Sequence, residues 1–113
     1  MKDFKSTINN KSASFRNNKE AMKALVSELD GYLKISHLQG NEIALKRAKE
    51  RGKSLTRDKI AKLLDKESPF LELMPLAGLK HENGFGPGGT TIAGIGFIKN
   101  KLCKINANIG TKK

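Results

Sequence analysis

At 113 residues, with 37% hydrophobic residues, 5% aromatics and no Trp, the chain is sized for one modest domain or for part of a larger one. Its apolar residues fall in periodic clusters, which argues against disorder by composition. A net charge of +11 and a pI near 10.0 exclude an acidic protein and suit nucleic acid, an anionic membrane surface or a polyanionic small ligand.

Residues 1–15 are polar and basic without apolar periodicity and read as a flexible basic arm. The start, Met1-Lys2-Asp3-Phe4-Lys5, lacks the apolar run of a secretory signal, and its Asn-rich continuation is unlike an Arg-rich transit peptide. No stretch approaches the ~20 apolar residues that span a bilayer. A soluble, cytoplasmic protein is expected. Cys103 is the single cysteine, so there is no intrachain disulfide and no cysteine-rich zinc site.

From Asn17, Met22, Leu25, Val26, Leu29 and Leu33 recur at helical spacing. Asn17 or Asn18 is the expected cap, and the helix should end before Gly40. Asn41 begins a second helix with Ile43, Ala44, Leu45 and Ala48 as its apolar side, ended by Gly52. Ser54 or Thr56 caps a third, carrying Ile60, Leu63 and Leu64 and broken over Asp65 to Pro69. Residues 16–67 thus form a helical segment.

Beyond Pro69 the pattern is that of strands. Phe70, Leu71 and Leu73 form a short apolar run, followed by an irregular connection from Met74 to Gly84. Thr90 to Ile98, a two-residue turn at Lys99-Asn100, and Lys101 to Asn108 then read as a β-hairpin. Its first strand is apolar or small on both faces, which predicts cover above and below, with glycines where another backbone approaches. A hairpin alone is marginal in water, so an incomplete sheet is expected.

Gly84-x-Gly86-x-x-Gly89 formally matches a dinucleotide-binding fingerprint, but Pro87 interrupts it and a strand follows instead of a helix. It reads as a loop. The basic run Lys46, Arg47, Lys49, Arg51, Lys53, Arg57, Lys59 and Lys62 fits a solvated helix face or a phosphate-binding patch. In favour of the patch, Arg51-Gly52-Lys53 lies at a helix junction, where glycine permits close backbone approach. Ser54 and Thr56 add hydroxyl donors, and the third helix points its N-terminal dipole there. His37 and His81 lack metal-ligand spacing. No catalytic nucleophile, base or metal site emerges from residue chemistry.

The segment Arg51-Gly52-Lys53-Ser54-Leu55-Thr56-Arg57-Asp58-Lys59-Ile60-Ala61-Lys62-Leu63-Leu64-Asp65 resembles the R-G-K-L-x-x-R-x-R-I-x-x-L-L-D signature of biotin-dependent acyl-CoA carboxylase carboxyltransferase (β) subunits. Pro69-Phe70-Leu71-Glu72-Leu73, Gly88-Gly89-Thr90-Thr91-Ile92-Ala93-Gly94-Ile95-Gly96 and Ile105-Asn106-Ala107-Asn108 follow in the family's order. Met74-Pro75-Leu76-Ala77-Gly78 and the first helix look most like the methylcrotonoyl-CoA carboxylase members. Three positions depart from the pattern: Ser54 replaces a leucine, Lys59 an arginine, and Ile109 an acid.

The resemblance implies an α/β fold, with N-terminal helices and the first β-hairpin of a crotonase-like (ClpP/crotonase) ββα spiral, incomplete. Residues 68–113 would begin the acyl-CoA domain, and the chain would stop before the oxyanion-binding turns, leaving it inactive alone. Acyl-CoA is the implied substrate. Biotin would arrive on a biotin carboxylase/biotin carrier α subunit, and β subunits would form a homo-oligomer; neither nucleic acid nor membrane is implied. Arg51, Gly52, Lys53 and Arg57 are the candidate CoA-binding corner, on local charge and by analogy with how crotonase folds hold CoA. The competing readings are a small basic nucleic-acid- or ribosome-binding protein, disfavoured by the lack of stacking aromatics, and an assembly piece completed by a separately encoded remainder.

Overall fold

The computed structural model describes residues 3–81 and 84–112. Met1, Lys2 and Lys113, and residues 82 and 83 of the expected irregular connection, lie outside the described residues. The chain forms two compact units, Met1–Gly31 and Tyr32–Lys113.

The first unit is built on helix α1, which runs Ala13–His37 and continues into the second unit. It begins four residues before the expected Asn17. Ser12 caps it, its Oγ accepting the Phe15 N–H at 3.1 Å, while the Ser12 N–H donates to Asn9 O. Ser12 offers a capping hydroxyl one turn earlier, so Asn17 and Asn18 become interior helix residues. The stripe of Met22, Leu25, Val26 and Leu29 is present but exposed, Met22 to 60%.

In the second unit α1 ends with Ser36 Oγ donating to Leu33 O at 2.8 Å. Helix α2, Glu42–Glu50, starts as expected: Asn41 Oδ1 accepts the Ala44 N–H at 2.8 Å. It ends in a Schellman turn, with Lys53 N–H donating to Ala48 O and Gly52 N–H to Lys49 O while Gly52 takes φ +63°. Helix α3, Thr56–Leu63, has neither Ser54 nor Thr56 as its cap. Gln39 Oε1 accepts the Arg57 N–H at 2.8 Å instead, and the Thr56 hydroxyl donates to Asn108 O. The capping group comes from a different loop, invisible to a local rule.

Strands β1 (Leu71–Leu73), β2 (Thr91–Ile98) and β3 (Lys101–Asn108) form one antiparallel sheet in the order β1-β2-β3. The expected hairpin is present, with Ile98 opposite Lys101 and Thr91 opposite Asn108, and β1 adds a strand by pairing Leu71 with Ile95 and Leu73 with Ala93. Lys99 and Asn100 both adopt positive φ, the two-residue turn that matches strand twist. Asp65 holds that turn from outside: its carboxylate accepts the N–H groups of Lys99 (2.6 Å) and Asn100 (2.7 Å).

The core lies on one face of the sheet, where Ile60, Ile92, Ile105 and Ile109 pack with Leu64, Phe70 and Ile98. Cover on both faces of β2 was expected, and only one is covered among the described residues. The Ile92/Gly94/Gly96 face is buried beneath the helix α3 side, whereas the opposite face leaves Leu71 63% and Leu102 67% exposed. As expected, other backbone comes close at these glycines, with Leu71 O 2.8 Å from a Cβ built at Gly94 and Pro69 O 3.3 Å from one at Gly96, and side chains press closer still. A Cβ at Gly94 would stand 2.2 Å from the Phe70 ring, and one at Gly96 2.5 Å from Leu64 Cδ2. Ile109, which stands where the family pattern has an acid, is a buried core residue.

Candidate functional site

The Schellman turn joins the end of α2 to the start of α3 and brings four cations of the basic run to one place. Arg47 and Arg51, four residues apart, share one side of α2; Lys53 follows the turn, and Lys59 lies one helical turn beyond Thr56. Together with Ser54 and Thr56 they line a pocket of about 500 Å3 that Asn108 and Thr111 also border. Lys53 also borders a neighbouring pocket of about 400 Å3 that includes Lys46 and Lys49. Among the described residues, none of Arg47, Arg51, Lys53 and Lys59 forms an ion pair. Their unneutralised charge, two hydroxyls and the first turn of α3 converge on this space, an arrangement suited to phosphate oxygens.

The structure therefore brings Arg51 and Lys53 together as expected, with Gly52 supplying the reversal between them. Arg57 is elsewhere. Next to Thr56 in sequence, it projects about 100° around the helix and does not line the pocket. Its guanidinium makes two parallel bonds to Glu72, at 2.8 and 2.9 Å, and its NH2 reaches Ser36 O at 3.5 Å. His37 Nε2 stands 3.7 Å from the same carboxylate, and Arg57 Nε is buried without a partner.

Sequence reading placed Arg47 and Lys59 in the basic run but not in the candidate corner of Arg51, Gly52, Lys53 and Arg57, although helical spacing from Arg51 and Thr56 could have added them. It also missed Asn108 and Thr111, for which no local signal exists. Thr111 links two sites. Its hydroxyl donates to Gln39 O, and it walls a second pocket of about 290 Å3 formed by Ile35, Leu38, Phe85, Pro87 and Lys112. Lys112 Nζ donates to Pro87 O at 3.3 Å. Burial, and after it the Arg57 guanidinium, hold the Lys112 amine below the ordinary lysine range. No helix among the described residues is long and apolar enough to cross a membrane.

No family model matches the chain. It is 45% identical over 91 residues to the biotin-dependent 3-methylcrotonyl-coenzyme A carboxylase β1 subunit of Mycobacterium tuberculosis, covering 80% of this chain and 17% of that protein. It is 40% identical over 106 residues to the mitochondrial methylcrotonoyl-CoA carboxylase β chain of Arabidopsis thaliana, covering 94% of this chain and 18% of that one. Among solved structures, the β subunit of geranyl-CoA carboxylase from P. aeruginosa superposes with a TM-score of 0.82 at 34% identity, over 97% of this chain and 20% of that one. The chain thus spans about a fifth of the length of the relatives it matches. Over the residues it spans, it belongs to the β-subunit family of the biotin-dependent acyl-CoA carboxylases.

Proposed function

We propose that the chain is the opening segment of a carboxyltransferase β subunit, the subunit that moves a carboxyl group from carboxybiotin to an acyl-CoA, with 3-methylcrotonoyl-CoA the favoured substrate. The 45% identity to a 3-methylcrotonyl-CoA carboxylase subunit carries this reading. On it, the three helices and the sheet begin a crotonase-like spiral, the biotin is presented by a partner α subunit, and β subunits assemble with one another. No residue of the chain is assigned to biotin or to the reacting carbon.

Within that function the chain's task is to hold the nucleotide end of acyl-CoA. The pocket of Arg47, Arg51, Lys53 and Lys59 fits phosphate groups by charge, by hydroxyl donors and by size. Binding energy gained there, far from the reacting carbon, serves to orient the substrate. Gly52 takes part through its backbone, and Arg57 supports the site indirectly by fixing α3 to β1. Calorimetric titration should rank CoA above 3′-dephospho-CoA and both above pantetheine. Replacing Arg51 and Lys53 together by Ala should weaken CoA binding by about tenfold or more, the scale of losing charge-assisted hydrogen bonds. Equal binding of CoA and pantetheine, or no effect of the double substitution, would remove the phosphate assignment.

A further inference from the structure

We propose that Lys112 is a site of covalent acylation by thioesters, with the acyl group received in the apolar pocket beside it. The second pocket places an amine at the edge of an open groove whose walls are mainly apolar, with Asn41 and Thr111 as polar lining. Ile35, Leu38, Phe85 and Pro87 provide walls that suit a short hydrocarbon chain and not an anion. Among the described residues the amine makes one hydrogen bond, to Pro87 O, and it faces the cationic Arg57 of α3, itself held by Glu72 of β1 with His37 of α1 beside it.

A lysine beside a second cation and partly removed from water keeps more of its amine neutral near neutral pH, the form that attacks carbonyls. The neutral Nζ adds to the thioester carbonyl carbon, a nitrogen–carbon bond forms, and the carbon–sulfur bond breaks. The thiolate leaves and takes up the proton that nitrogen loses, so the products are an amide and a free thiol, with no oxidation or reduction. Thr111, which walls both pockets, sets this amine beside the space assigned to CoA phosphates. Acyl-CoA as the natural donor rests on the reading above; the reactivity of Lys112 does not.

The full chain is incubated at mildly alkaline pH with acetyl-CoA, and separately with S-acetyl-N-acetylcysteamine, a thioester without phosphates. Acylated lysines are then mapped by mass spectrometry. Lys112 should be modified at least about threefold faster than the exposed Lys101 and Lys104, as expected of an activated amine. Its lead should shrink as pH rises and the other amines also deprotonate. A lead with both reagents supports the proposal whatever becomes of the phosphate site, and a lead with acetyl-CoA alone supports it together with that site. Lys112 reacting no faster than Lys101 and Lys104 with either reagent would overturn it. Phe85→Asp, which makes the pocket wall polar and anionic without touching the basic pocket, should abolish the lead; an unchanged lead would refute the pocket's part.

Discussion

Arg57 carries the clearest lesson at the scale of single residues. By sequence it is one more cation in a basic run, yet it is about three-quarters buried and committed to Glu72, fifteen residues away. Its signature position reflects the joining of α3 to β1 through a two-pronged bond that lysine cannot reproduce. Arg57→Ala should lower unfolding stability by about 2–4 kcal/mol, somewhat less than breaking a fully buried pair, because both groups keep some contact with water. Arg57→Lys should recover only part of the loss. Urea denaturation of the three proteins checks this, and a lysine variant as stable as wild type would show that the second bond contributes nothing. Arg51 and Lys53 were legible because charge, a helix junction and a turn glycine coincide within three residues. Arg57 was not, because its partner is set by sheet register.

The elements themselves were mostly legible where their rules are local. Asn41 caps α2, Gly52 ends it and Lys99-Asn100 turns the hairpin, each within four residues of the groups it serves. One failure was local, with Ser12 and not Asn17 opening α1, while at the start of α3 the deciding group, Gln39, is distant in sequence. Glycine in β2 lies between these cases. Its presence announced a close approach, but Phe70 as the approaching group follows only from the pairing of Glu72 with Gly94. Gly94→Ala should therefore destabilise through overpacking, by about 1–3 kcal/mol. The companion substitution Phe70→Leu, which withdraws the ring, should make Gly94→Ala less costly than it is alone. Strictly additive losses in a thermal or urea double-mutant cycle would argue against direct contact between the two positions.

For the whole molecule, the order of four motifs indicated the family, and the comparisons extend that likeness across nearly the entire chain. What single-sequence reasoning misjudged was cover, since an apolar strand face predicts a neighbour without saying whether the same chain provides it. Among the described residues of the second unit, β3 has one hydrogen-bonded neighbour and an outer edge eight residues long without a paired strand, adjoining an apolar sheet face. Such an edge is a template for pairing with other molecules. Copies carrying +11 each repel one another, and salt shortens that repulsion from about 30 Å at 0.01 M to about 8 Å at physiological strength. Light scattering should accordingly climb as salt is added, and Leu102→Lys should delay the climb. Scattering that falls with salt would mean that attraction between opposite charges drives association. The unpaired rim of this sheet thus makes dilute, low-salt buffer a storage condition and ordinary saline a slow precipitant.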